Sequence, residues 1–239
     1  MPVVFVHGVP DTGQVWHRVV ALIDRPDVVV VDLPGFGTPR PDRFAATKEA
    51  YVDWLAERIA ELGQPVDLVG HDWGALLVQR VASIHPDRVR TWAAGGAVVD
   101  PTYEWHDVAR LWQTPEVGEQ VMAALRGEAL AAALAGAGAP REDAEAAAGR
   151  VDDEMSACIL ALYRSAVHVG EEWDAGLDAI TAPGLVIHGS RDPYVPPSFA
   201  ERLAARTGAP AHLLDCGHWW ELERPDEVAA LLTAHWQAA

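Results

Sequence analysis

Cysteine is scarce: Cys158 and Cys216 are the whole complement in 239 residues. Two thiols do not make a disulfide framework, and a reducing cytoplasm is the natural setting for such a chain. No apolar run reaches the length of a membrane span, so no membrane partner is expected. The opening Met-Pro-Val-Val-Phe-Val has no basic region before its apolar stretch, and no signal peptide is expected. Basic residues are few, 18 Lys and Arg against 35 Asp and Glu for a formal charge of −17. Nothing basic is clustered to neutralise phosphates, which excludes nucleic acid; the acidity reads as a solvated surface. His85, His106 and His168 are scattered without ligand spacing, so no metal and no cofactor is expected. Neither a Walker pattern nor Gly-x-Gly-x-x-Gly follows a strand, and Pro34-Gly35-Phe36-Gly37 reads as a structural turn. There is no internal repeat.

What is present is a rhythm. Apolar runs at 2–6, 28–33, 66–69, near Val89 to Ala97, 184–189 and 211–214 alternate with helical patterns at Gly13 to Ile23, Thr47 to Leu62, Ala75 to Ala82, Phe199 to Arg206 and Asp226 to Trp236. The strands are continuous rather than alternating, as in an α/β fold whose mostly parallel central sheet is covered by helices on both faces. The rhythm stops at about Val99 and resumes at Gly184. Residues 100–180, rich in Ala, Glu and Trp, are helical in pattern with breaks at Thr114-Pro115 and Gly136 to Pro140. We therefore expect a core domain made of residues 1–99 and 181–239 and an inserted helical cap over 100–180.

The stretch Gly70-His71-Asp72-Trp73-Gly74, between a strand and a helix, has the form of a nucleophile elbow. Such a turn is so tight that small residues must flank the central one. The following helix aims its N-terminal N–H groups at charge developing there. The usual occupant is Ser; here it is Asp72. A serine attacking a saturated carbon would leave an ether, whereas a carboxylate leaves an ester that an activated water cleaves. Asp72 thus points to substitution at an sp3 carbon followed by hydrolysis of an alkyl-enzyme ester. The plain alternative is a Gly-rich turn with a helix-capping Asp.

Partners lie downstream. The strand 184–189 runs into Ser190-Arg191-Asp192-Pro193, where a histidine-orienting carboxylate belongs, although Asp-Pro also makes ordinary turns. The strand 211–214 runs into Asp215-Cys216-Gly217-His218-Trp219, placing His218 at the C-terminal sheet edge where open α/β folds build their sites. The order nucleophile, acid, histidine matches the α/β-hydrolase triad.

Taken together, His7-Gly8-Val9-Pro10, Gly70-His71-Asp72-Trp73-Gly74, Asp192-Pro193 and Gly217-His218 resemble the α/β-hydrolase superfamily, and within it the Asp-nucleophile branch of epoxide hydrolases and haloalkane dehalogenases. The resemblance spans nearly the whole chain and is weakest in the cap. It implies that Asp72 attacks carbon and that His218, oriented by Asp192, activates the water. It also implies an oxyanion hole from the backbone N–H groups of Val9 and Trp73. Asp100, after the preceding strand, is the alternative acid, since some dehalogenases place theirs there. The chain opens at what would be the third strand of that fold, so six strands are expected.

The two chemistries differ at the leaving group. An opening epoxide forms an alkoxide that takes a proton from a cap tyrosine; a halide takes none and rests on indole or amide N–H donors. Leu160-Ala161-Leu162-Tyr163-Arg164-Ser165 resembles the Tyr-Arg segment of epoxide hydrolase caps, which makes Tyr163 the candidate proton donor. A second tyrosine is missing: Val108 falls near its place, with Tyr103 as a possible substitute. On the dehalogenase side, Val9 replaces the Asn that many members use, and Trp105 or Trp112 is left to offer a cap indole. Tyr163 and the His-Gly-Val-Pro form favour an epoxide hydrolase; a haloalkane dehalogenase is the alternative, followed by an esterase or lactonase and a non-catalytic member of the fold. Trp73, Tyr103, Trp105, Trp112 and Trp219 are the candidate substrate-binding residues. The expected partners are a small apolar or aromatic epoxide, or an alkyl halide, and water, for a monomer or homodimer.

Overall fold

Six strands, all parallel, lie in the order β2-β1-β3-β4-β5-β6 in a computed structural model describing residues 1–239. In chain order these are β1 (Val3–Val6), α1 (His17–Leu22), β2 (Val28–Val31), α2 (Lys48–Glu61), β3 (Val66–His71), α3 (Trp73–Ile84) and β4 (Val89–Gly95). Six helices follow without an intervening strand: α4 (Asp107–Gln113), α5 (Val117–Ala124), α6 (Gly127–Gly136), α7 (Arg141–Arg150), α8 (Asp153–Ser165) and α9 (Val169–Trp173). The chain then returns to the sheet through β5 (Gly184–Gly189), α10 (Pro197–Thr207), β6 (Ala211–Leu214), α11 (Trp220–Glu223) and α12 (Pro225–Ala238).

The expected alternation is therefore present, including both breaks in the helical segment. Most boundaries shift by a few residues, and two differ in character. The first helical pattern opens as a 3-10 turn over Gly13–Trp16, capped by Thr12, before α1 begins. The last helix starts at Pro225 and is preceded by the short α11. Proline at the first helical position supplies a pre-set φ and lacks an N–H that would have no partner there.

The core follows from strands buried on both faces. Every residue of β1, β3 and β5 is buried. On one side Phe5, Trp16, Trp220 and Trp236 form an aromatic layer, with Phe5–Trp16 centroids 5.0 Å and Trp16–Trp220 centroids 5.6 Å apart. Burying side chains of this size contributes roughly 1.5–3 kcal/mol each. Charge is admitted at the N-terminal end of the sheet: the fully buried Asp67 carboxylate accepts from Arg25 at 2.8 Å, Arg90 at 2.6 Å and the Thr91 hydroxyl at 2.7 Å. The opposite, C-terminal edge is left for the site. No helix is long and apolar enough to cross a membrane.

Candidate active site

The turn after β3 is strained in the way an elbow must be. Asp72 has φ 50° and ψ −122°, a backbone conformation costing about 1–3 kcal/mol that persists only where its surroundings enforce it. A Cβ at Gly74 would lie 2.1 Å from the Val6 carbonyl oxygen, and one at Gly70 would lie 2.3 Å from the Gly74 carbonyl oxygen. Only glycine lets strand, turn and helix approach this closely. The Asp72 backbone N–H donates to Gly95 O at 2.9 Å, tying the elbow to β4.

The two oxygens of Asp72 are not equivalent. The Val9 backbone N–H donates to Oδ2 at 2.8 Å, and the Trp73 backbone N–H also bonds the carboxylate. Oδ1 faces His218 Nε2 at 3.8 Å, too far for a hydrogen bond and close enough for a strong charge interaction. Burial raises the Asp72 pKa above the ordinary carboxylate value, while the His218 charge and the two backbone N–H groups oppose the rise.

His218 Nδ1 donates to Asp192 Oδ2 at 2.8 Å. The other Asp192 oxygen accepts from the backbone N–H groups of Tyr194 at 2.8 Å and Val195 at 3.1 Å. Burial works against the Asp192 charge, but His218 and these N–H groups hold its pKa down at about 2. Burial likewise works against a charged His218; the Asp192 and Asp72 carboxylates outweigh it and lift its pKa to about 9. Asp72, His218 and Asp192 thus stand together in triad geometry. Asp100 does not join them: its carboxylate is held by Arg202 at 2.9 Å and by Thr102.

Above the triad lies a cavity of about 160 Å³ whose lining is mostly hydrophobic and contains no Lys or Arg. Trp73, Tyr103, Trp105, Trp112, Tyr163 and Trp219 all line it. Tyr163, from α8, sits among three indoles, with centroid distances of 5.3 Å to Trp73, 5.3 Å to Trp105 and 4.9 Å to Trp112. Burial and the Asp72 charge push its pKa well above that of an ordinary phenol, so its proton is retained.

The polar ends of these aromatics separate them. The Tyr103 hydroxyl donates to Tyr194 O at 3.2 Å, and the Trp105 indole N–H donates to Ala166 O at 3.2 Å. Trp219 donates to Asp11 at 2.9 Å. Neither Tyr103 nor Trp105 therefore has a donor to spare, and Val108 contributes only an apolar wall. The indole N–H groups of Trp73 and Trp112 are buried with no acceptor in good hydrogen-bond geometry, although the Tyr163 hydroxyl lies beside that of Trp73; such a state costs about 1–3 kcal/mol per group unless something else accepts.

Sequence reasoning missed the layer beneath the triad. His188, at the end of β5, lies with Nε2 3.8 Å from Asp192 and donates that N–H to Val195 O at 2.8 Å, while its Nδ1 accepts from Gly96. Tyr194 sets its ring edge-on to His218 at 5.0 Å. His106 caps α4 and lines the cavity. A histidine inside an apolar strand run was the available signal for His188; the other two carry none. No group of three or more His, Cys, Asp or Glu is placed to hold a metal ion.

Comparison with known proteins agrees with this architecture. The chain is 39% identical over 90 residues to a pimeloyl-[acyl-carrier protein] methyl ester esterase of Aeromonas hydrophila, covering 37% of this chain and 34% of that one. It is 26% identical to epoxide hydrolase A of Mycobacterium tuberculosis over 96% of this chain and 88% of that one. A loop variant of the haloalkane dehalogenase DbeA from Bradyrhizobium elkanii superposes with a TM-score of 0.80 at 26% identity, covering 99% of this chain and 90% of the other. The strongest local matches span only about a third to two fifths of the curated relatives, 34%, 39% and 43% of their lengths. Residues 3–231 match the model of the alpha/beta hydrolase family, and the chain belongs to that family.

Proposed function

We propose that the protein hydrolyses an epoxide to a vicinal diol through an ester on Asp72. The observation that carries this reading is the division of labour at one carboxylate. Asp72 Oδ2 already accepts the Val9 N–H, so Oδ1 is the free nucleophile, and Tyr163, which retains its proton, lines the same cavity.

In the first half, Oδ1 attacks an epoxide carbon, the ring C–O bond breaks, and the nascent alkoxide takes the Tyr163 proton. In the second half, His218 removes a proton from water and the hydroxide attacks the ester carbonyl. The oxygen charge that develops is Oδ2, already in place against the Val9 N–H, and the Trp73 N–H bonds the same carboxyl group. Losing one such donor commonly costs about 10²–10³ in rate. Collapse breaks the ester C–O bond, the departing diol oxygen takes the proton from His218, and Asp72 is left as a carboxylic acid whose proton, released through water, restores the Tyr163 hydroxyl.

The first step also prepares the second. Alkylation neutralises Asp72 and removes one of the three carboxylates, Asp192, Asp72 and Asp11, that raise the His218 pKa. The pKa of His218 thereby falls from about 9, it gives up its proton to water, and the neutral imidazole is available at the moment a base is needed. The helical segment 100–180 serves as a cap: with a lining free of Lys and Arg, it suits a neutral apolar or aromatic substrate. A cavity close to the size that encloses one benzene ring sets the scale.

One observation favours a second reading, a haloalkane dehalogenase. The unpaired N–H groups of Trp73 and Trp112 are donors suited to a departing halide, which needs no proton. The test is His218→Gln, which allows attack and stalls hydrolysis. Intact mass after incubation with styrene oxide is expected to rise by the whole epoxide, mapped to Asp72. A mass gain from a primary alkyl bromide alone would move the assignment to dehalogenase. No adduct from either, with no diol or bromide from the wild type, would overturn both.

A further inference from the structure

Behind the triad lies a buried pair the mechanism above does not use. His71, adjacent to the nucleophile, and Glu221, on α11, are both fully buried, with His71 Nδ1 3.1 Å from Glu221 Oε1. The other ring nitrogen, Nε2, lies 3.0 Å from the main-chain carbonyl oxygen of His218. A proton count follows from these contacts alone. A carbonyl only accepts, so His71 Nε2 must carry a hydrogen and donate it. Nδ1 then lies 3.1 Å from a carboxyl oxygen without hydrogen-bond geometry, and neither Nδ1 nor either Glu221 oxygen has any hydrogen-bond partner. An ionised Glu221 would thus be a fully buried carboxylate with no donor, set against a bare ring nitrogen, a charge that burial penalises heavily and that a proton on the carboxyl removes.

The surroundings decide where it sits. Burial first, then the charges of Asp11, Asp72 and Glu223, push the Glu221 carboxyl well above its ordinary range. Burial first, and then the neighbouring His218 and His188, hold His71 well below its own, with Asp192 opposing. A carboxylate facing three other carboxylates and an imidazolium facing the His218 imidazolium would both be penalised.

We propose that Glu221 is a carboxylic acid packed against the neutral ring of His71, and that this uncharged pair lets His71 hold the backbone of His218, making Glu221 and His71 positioning residues for the base. The chain of contacts runs Glu221 to His71 Nδ1, His71 Nε2 to His218 O, and His218 Nδ1 to Asp192. The imidazole of His218 is thus held at its ring by Asp192 and at its backbone by His71. The inference rests on the role given to His218 above.

The test separates the two. Infrared difference spectra between wild type and Glu221→Gln, taken without substrate near neutral pH, are expected to show loss of the carbonyl band of a protonated carboxylic acid. Loss of carboxylate bands instead would overturn the proposal. Nitrogen chemical shifts of His71 in the wild type are expected to show protonated Nε2 and bare Nδ1; an imidazolium pattern would likewise overturn it. These readouts stand whether or not styrene oxide is turned over. With a turned-over substrate, Glu221→Gln, which still offers an N–H donor, is expected within threefold of wild-type kcat. Glu221→Leu is expected to lose at least tenfold in kcat with KM unchanged. Equal loss in both variants, or none in either, would show that the proton does not position the base.

Discussion

Replacing Asp72 by Asn imitates the neutral ester while leaving the fold of the elbow in place, and its effect on His218 follows from geometry. The wild-type pair is separated by 3.8 Å, with side-chain exposures of 4% for His218 and 16% for Asp72. At an effective dielectric of about 20, unit charges at that distance interact by about 4 kcal/mol. Partial exposure of Asp72 screens some of this, leaving roughly 2–3 kcal/mol, or about two pKa units. The His218 pKa, about 9 in the wild type, is therefore expected near 7 in Asp72→Asn, because burial and Asp192 remain while the second carboxylate is gone. Titration of the His218 ring protons by NMR reads this directly. A His218 pKa that stays near 9 in the variant would refute the claim that alkylation switches the base on. It would mean that Asp192, with Asp11, sets the titration without Asp72.

Removing the Tyr163 hydroxyl (Tyr163→Phe) is expected to lower kcat/KM for an epoxide by about 10²–10⁴, the usual worth of a general acid, while alkyl bromide displacement falls no more than about tenfold; steady-state assays with both substrates compare the losses. Asp67→Ala leaves Arg25 and Arg90 without their buried partner and is expected to cost about 3–5 kcal/mol in urea unfolding, with the cavity unchanged. Asp11 is a buried carboxyl whose pKa is raised by burial from 3.8 to about 6, against the Trp219 indole hydrogen bond. A raised acid contributes stability that is complete below its unfolded pKa and lost as pH climbs through the folded one. Asp11→Asn keeps an acceptor for Trp219 and escapes that loss. Its stability relative to wild type is expected to rise by about 2–3 kcal/mol from pH 4 to pH 8, read from melting temperatures across that range; a flat difference would mean Asp11 does not titrate there.

The parallel sheet was legible because its strands are buried on both faces, which writes them as unbroken apolar runs such as Val3–Val6. The triad residues were legible for a related reason. A strand that ends at a sheet edge is followed at once by its functional side chain, as Asp72 follows β3, so spacing carries the information. What stayed hidden depends on directions rather than positions. Tyr103 and Trp105 stood in the sequence as candidate donors, yet each spends its hydrogen on a backbone carbonyl, of Tyr194 and Ala166. Trp112, otherwise indistinguishable from Trp105, keeps its own. Nothing in the sequence singles out Glu221, because no local pattern says that His71, 150 positions earlier, packs against it. Buried polar pairs are long-range by nature, and no local pattern announces them.

Four of the ten tryptophans, Trp73, Trp105, Trp112 and Trp219, line the cavity, while Trp16, Trp92 and Trp220 are fully buried in the core. The chamber is therefore built from fluorophores, with the core trio supplying a constant background. Binding of any ligand displaces water from indole faces and shifts the emission, so occupancy is visible without a label. The identity of the leaving group is visible as well. Bromide and iodide quench excited indoles on contact, so a halide held between Trp73 and Trp112 would darken the protein during turnover, whereas an alkoxide made from an epoxide would not. The same walls that select the substrate would report, in light, which bond had broken.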